Sequence, residues 1–288
     1  MRTKIMILSV CMAVACSIQV QAQFFISSGN KPQQDTITQV QLTVQYRAVI
    51  IPDTLKKDKT TEETMMLEIG KGISKFYSYT KYVCDSILNV DFANKASQET
   101  INEHLKQYGK SKLSETTFKG YPSGKVTTLD EIAGLTCLRC EEKEEVPQWT
   151  LGNDTATILS YSCRKAECEF KGRKWTAWFT SDIPVSEGPW KLHGLPGLII
   201  KAEDKEKQYT FVCTGLEQSH SSKPILFYGK NYELVNRKAY NKVHERYNAD
   251  PVGFITGSNP NVKITISDDQ GNQVKSPRNM PYNPLERE

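Results

Sequence analysis

Along most of the chain apolar side chains recur at every second position, the period with which a half-buried strand presents one face to a core. From Ile37 to Ile51 the alternation runs through Val40, Leu42, Val44 and Tyr46 and stops at Pro52, which cannot donate to a central ladder. Thr64 to Ile69 and Ile73 to Thr80 flank Gly70-Lys71-Gly72 and predict a hairpin. Strand character resumes at Glu115 to Lys119 and Lys125 to Leu129, joined by Gly120-Tyr121-Pro122-Ser123-Gly124, and Leu135 to Cys140 is expected to pair with Trp149 to Leu151 across an acidic loop. The strongest strand signal lies in Ile158 to Phe170 and Lys174 to Ser181, about the turn Lys171-Gly172-Arg173. Trp175, Ala177 and Phe179 point one way, Thr176, Trp178 and Thr180 the other. Neither face is fully polar, which predicts a sheet covered in part on both sides.

Two stretches follow a longer period. Between Lys81 and Tyr108 apolar residues fall three or four apart and Gly109 stands where a helix would end, so one or two helices belong there. Glu233 to Tyr247 reads as an amphipathic helix closed by Asp250-Pro251. In Leu195-Pro196-Gly197-Leu198, Pro196 presets its own φ and Gly197 can adopt the positive φ of a type II turn, making Gly194, Pro196 and Gly197 structural turn residues. Beyond it, Leu198 to Ala202 and Tyr209 to Gly215 predict another hairpin, Asn261 to Ile266 a last short strand, and Asp268-Asp269-Gln270-Gly271 its turn. The expected fold is mainly β with a few helices: a curved antiparallel sheet or open half-barrel carrying one to three packed helices. No internal repeat or low-complexity linker divides residues 37–288, which read as a single domain after a flexible leader at 23–36.

The N-terminus changes the picture. Arg2 and Lys4, the apolar run Ile5 to Ala15 and the small-residue site Val20-Gln21-Ala22 have the form of a secretory signal, residues 1–22, cleaved after Ala22. Export to the periplasm or the outer membrane is therefore expected, with lipidation at Cys16 in Ala13-Val14-Ala15-Cys16 as the alternative. No other segment is apolar for long enough to form a transmembrane helix. With 37 Lys+Arg against 33 Asp+Glu the formal charge is only +4, and the loss of Arg2 and Lys4 brings it closer to neutral, so a nucleic-acid partner is not expected. Cys84, Cys137, Cys140, Cys163, Cys168 and Cys213 remain after the signal, an even set that suggests disulfides in an exported chain. A four-thiolate zinc site from Cys137-x-x-Cys140 with Cys163 and Cys168 is disfavoured. The second pair would point to opposite faces of one strand.

The string Gly194 to Ile199 resembles that of the GLPGLI family of exported Bacteroidetes proteins. Tyr161 to Ala166, Phe170 to Thr180, Ile183-Pro184, Gly188-Pro189 and Tyr282-Asn283-Pro284-Leu285-Glu286 also look like the family pattern, and the likeness runs from about Val40 to the end. Leu285 departs from it, standing where Ile is expected, and Cys137-x-x-Cys140 is not part of it. The resemblance implies location and fold, and it carries over no catalytic residue.

Chemistry is sparse. His104, His193, His220 and His244 have no ligand or base partner at an established spacing, and there is neither a Gly-x-Ser-x-Gly elbow nor a phosphate-cradling glycine loop. No catalytic set, metal or cofactor is implied. The reading that fits best is a non-catalytic binding or carrier protein of the cell envelope, with Trp175, Trp178 and Phe179 lining a site for a small apolar, lipid-like or peptide ligand. The alternatives are an enzyme or redox or metal-handling factor using His193 or the cysteine pairs, and an accessory scaffold of an outer-membrane protein assembly.

Overall fold

The computed structural model describes residues 8–9, 12–14, 16–22, 34–108, 111–219, 222–258, 264–267 and 275–287. Short strands within residues 8–22 pair with one another and with Ile264–Ser267. Residues 23–33 of the leader, His220 and the turn at 268–271 lie outside the described residues.

The remaining strands are β1 (Asp35–Gln39), β2 (Leu42–Ile50), β3 (Thr61–Ile69), β4 (Ser74–Ser78), β5 (Thr116–Lys119), β6 (Lys125–Ile132), β7 (Thr136–Lys143), β8 (Thr150–Ile158), β9 (Tyr161–Phe170), β10 (Arg173–Thr180), β11 (Leu198–Asp204), β12 (Tyr209–Gln218), β13 (Pro224–Phe227) and β14 (Glu233–Val235). The helices are α1 (Tyr79–Ala93), α2 (Gln98–Tyr108), α3 (Arg237–Ala249) and α4 (Pro251–Ser258), one more than the expected maximum of three. Twelve strands form one open sheet in the order β8-β9-β10-β11-β12-β2-β3-β4-β5-β6-β7-β14, and β13 and β1 make a separate ribbon. All pairings are antiparallel except β7 with β14.

The sheet curls strongly. Phe76 on β4 and Phe211 on β12 belong to strands three apart, about 14 Å in a flat sheet, yet their ring centroids are 5.8 Å apart. Tyr46 on β2 likewise donates its hydroxyl to the carbonyl of Ile199 on β11 at 2.7 Å. The concave face holds the main core, including Tyr46, Leu67, Phe76, Trp175, Trp190 and Phe211. Two smaller cores cover β5 to β7: the β1–β13 ribbon packs Ile225 and Phe227 on Phe118 and Leu129, and α3 sets Tyr240 against Ile132, Leu138 and Cys140.

Several local expectations need correction. The run from Ile37 breaks at Val40-Gln41, and its first part leaves the large sheet for the ribbon. Leu135 to Cys140 does not meet Trp149 to Leu151: β7 pairs with β6 and β14, because the short turn after Ile132 returns the chain at once, while β8 pairs with β9. Leu159 and Ser160, at φ 49° and 69°, turn the chain without glycine and split the long Ile158 to Phe170 run. Helix α3 starts later than expected, at Arg237, where the Asn236 side chain accepts the Ala239 N–H and caps it, and Pro251 opens α4 instead of ending the structure.

The turn in Leu195-Pro196-Gly197-Leu198 is tighter than type II: Gly197 N–H bonds to the Leu195 carbonyl at 2.8 Å, closing a three-residue turn about Pro196. The positive φ at Gly197 is present, at 145°, and a Cβ there would lie 2.0 Å from the Thr180 carbonyl oxygen. Gly194 also has a positive φ, at 92°. The expected disulfides are not seen among the described residues: no two of Cys84, Cys137, Cys140, Cys163, Cys168 and Cys213 lie at disulfide distance. Cys163 and Cys168 do not face opposite ways. The inward set on β9 reads Cys163, Ala166, Cys168 and Phe170, so the strand changes phase once and sends both thiols into the main core, away from Cys137 and Cys140 on β7.

Candidate functional site

A cleft of about 520 Å³ opens where β6 and the segment leading into β5 meet α1, α3 and the C-terminal segment. Its floor carries charge. Asp130, on the inward face of β6, is 1% exposed. Its Oδ1 accepts from Ser114 Oγ and from the Glu131 N–H, both at 2.8 Å. Tyr240 of α3 places its hydroxyl 2.7 Å from Glu115 Oε1 and 3.0 Å from Asp130 Oδ2, tying the two carboxyl groups together. One turn along α3, His244 sets Nε2 2.8 Å from Asp130 Oδ2, an ion-pair contact that lies out of line for a hydrogen bond. The imidazole stacks on Tyr282 and lies tilted against Tyr240. Tyr240 and His244 share a helix face because they are four apart, the spacing that brings side chains together on α-helices.

The electrostatics divide the three groups. Burial, then the nearby Asp130 charge, raises the Glu115 pKa. Burial pushes Asp130 the same way, but His244 and the hydroxyls of Ser114 and Tyr240 overcome it and hold Asp130 below its ordinary value. Burial alone would lower His244; Asp130 raises it instead. Asp130 and His244 thus each favour the charged form of the other, beside a Glu115 carboxyl that burial makes hold its proton more tightly.

The ligand atoms of Glu115, Asp130 and His244 lie within 4.8 Å of one another and could converge on a cation. Ligands about 2.0–2.1 Å from a tetrahedral zinc stand roughly 3.3 Å apart, so the Asp130–His244 contact of 2.8 Å is that of an ion pair. A cation would have to open it by about half an ångström.

The residues singled out from the sequence lie elsewhere. Trp175 and Phe179 are in the main core, with Trp175 packed on Trp190 and Phe211, and Trp178 packs against that core from a half-buried position. None of the three lines the cleft. His193 places Nδ1 2.9 Å from the Lys191 carbonyl and Nε2 3.5 Å from Glu144, away from the cleft. His244 carried no local signal. Its partners are 114 and 129 positions away, and only the packing of α3 on β6 brings them together.

The shared sequence blocks instead form a clamp. Arg173, fully buried, donates to the Leu285 carbonyl at 2.9 Å, to Asn283 Oδ1 at 2.8 Å and to Asp204 at 2.7 Å. Lys191 bonds Glu142 and Glu286 at 2.7 and 2.6 Å, and Arg237 joins the same two carboxylates. The string around Gly194 is thereby fixed to the C-terminal segment that forms one wall of the cleft.

Residues 167–201 match Porph_ging, a family of unknown function associated with Bacteroidetes. The matched stretch contains Arg173, Lys191 and the Gly194 to Ile199 string. No curated protein matches. Two solved structures described as PNGF-II, in the P21 and C2 space groups, are similar at 13% and 11% identity with TM-scores of 0.47 and 0.46. Each likeness covers 70% of this chain and 33% or 32% of the other, so the chain spans about a third of the length of those proteins.

Proposed function

We propose that the chain is an exported, GLPGLI-type binding protein of the cell envelope, and that its ligand is a peptide seated in the cleft over Asp130 and His244. The observation that carries this reading is the mixed lining of the cleft, apolar side chains beside polar ones. Ile50, Leu105, Leu113 and Ile132 offer apolar surface, while Ser111, Glu115 and Asn248 offer polar groups to a peptide backbone. A lipid tail would leave those polar groups dehydrated without partners, at a cost of a few kcal/mol each. A peptide satisfies both surfaces. The enzyme alternative draws less support, because His193 is bonded to backbone and the buried cysteines are scattered through the cores.

Protein purified from its native host and extracted under denaturing conditions should release peptides in near-stoichiometric amount, identifiable by mass spectrometry. A labelled copy should bind with about tenfold lower affinity to His244→Gln, which retains a donor but not the imidazole ring. The reading fails if no peptide is recovered, or if the folded variant binds as tightly as the parent. Export has its own check: the secreted chain should begin at Gln23.

A further inference from the structure

A second cleft, of about 460 Å³, lies on the other side of Lys81 and Glu131, between β4, α1 and the segment from Tyr228 to Tyr232. On its wall stands Lys75, 9% exposed. Three aromatic faces surround the ammonium: Tyr77 with its centroid at 4.5 Å, Tyr228 at 5.7 Å and Phe118 at 5.8 Å. Among the described residues no carboxylate forms an ion pair with it, and the acids nearby are engaged elsewhere. Glu68 pairs with Lys223 at 2.7 Å and accepts from Tyr77 at 2.9 Å. Asp85 and Glu131 both hold Lys81, at 2.7 and 2.9 Å.

Ring faces stabilise an ammonium by much less than its lost hydration costs. Burial accordingly lowers the Lys75 pKa. An anion entering the cleft would supply the missing counter-charge. The remaining walls say what should carry that anion. Tyr82 and its neighbour Tyr79 are about half exposed and stacked on each other at 6.4 Å, and Tyr82, Tyr228 and Tyr232 present ring surface to the cleft. Such surface favours a flat or cyclic body by stacking.

We propose that this cleft binds a small organic anion, a carboxylate or phosphate carried on a ring, with Lys75 as its counter-ion and the tyrosines as its stacking walls. This site is separate from the peptide cleft and takes a different class of ligand.

Calorimetry on the full chain tests it with benzoate, glucuronate and phenyl phosphate against their neutral counterparts benzyl alcohol and glucose, and against inorganic phosphate. At least one acid should bind ten times or more tightly than its neutral counterpart. Lys75→Arg should keep that preference, and Lys75→Met, shown by urea unfolding to be folded, should lose it. The comparison of acids with neutral compounds on the unmodified protein stands even where Lys75→Met does not fold. The proposal is overturned if no acid of the panel binds, if neutral compounds bind as well, or if folded Lys75→Met retains the preference. Inorganic phosphate binding as tightly as phenyl phosphate would overturn the role of the ring.

Discussion

Nη1 of Arg173 donates to Oδ2 of Asp204 at 2.7 Å, and both side chains are fully shielded from solvent. The same guanidinium takes up the Leu285 carbonyl and the Asn283 side chain, and Asn283 passes the connection on to the Ile51 carbonyl through Nδ2 at 2.8 Å. One cation thus joins the β9–β10 turn, strand β11 and the C-terminal segment. Arg173→Met should leave Asp204 as a buried charge without its partner, and breaking a buried pair in this way costs about 3–5 kcal/mol. Arg173→Lys should recover only part, since an ammonium cannot reproduce the fork. Urea unfolding checks both, and a loss under about 1 kcal/mol for the Met variant would contradict the clamp.

Gly197→Ala should be far more damaging than Gly72→Ala. Both glycines have positive φ, a backbone state that costs a residue with a Cβ on the order of 1 kcal/mol. At Gly72 the added methyl meets open space, whereas at Gly197 it meets the Thr180 carbonyl oxygen at 2.0 Å. Thermal unfolding of the pair separates strain from collision. Equal losses would mean that the close approach to Thr180 relaxes freely.

The cysteines give a prediction opposite to the one their even number suggests. Denatured without reductant, Cys84, Cys137, Cys140, Cys163, Cys168 and Cys213 should all be alkylated, because no two of them lie at disulfide distance. In the native protein Cys140 and Cys213, pushed up to about 11 by burial, and Cys168, pushed up to about 12, should resist labelling. Cys137, partly exposed, should react ahead of them. Mass spectrometry of the labelled chain decides. Fewer than six labelled sites after denaturation would restore a disulfide.

What the sequence reveals of this protein follows the range of the interactions. The alternation of Trp175, Ala177 and Phe179 marks β10 because a strand's pattern is local, and the hairpin about Gly70-Lys71-Gly72 is legible for the same reason. Its β partners are less so. Thr136–Lys143 carries the same alternation whether it pairs with the strand before or after it, and the choice falls to the turn at Ala133 and Gly134, both at positive φ. Trp175 and Phe179 on β10 are buried in the main core, and Trp178 packs against the same core from a half-buried position. Asp130 and His244 could not be matched by spacing, since two charged residues far apart in the chain look like any other solvated pair until α3 is laid on β6.

Glu142 on β7 accepts from Lys191 at 2.7 Å and from Arg237 at 2.5 Å. Burial would raise its pKa, but these two cations hold it down to about 2. An unfolded glutamate titrates near about 4.3, so the folded state binds this proton more weakly than the unfolded state. The resulting stabilisation is complete above the unfolded value and is lost as pH falls from about 4.3 through about 2. Glu142→Gln removes the charge at every pH. The variant should therefore be less stable than the parent near neutrality, and the gap should narrow steadily across that acid window. Urea midpoints at pH 6, 4 and 3 measure it. A gap that stays constant with pH would show that Glu142 contributes through shape and not through its charge, and the connection between Lys191, Arg237 and the C-terminal segment would then rest on Glu286.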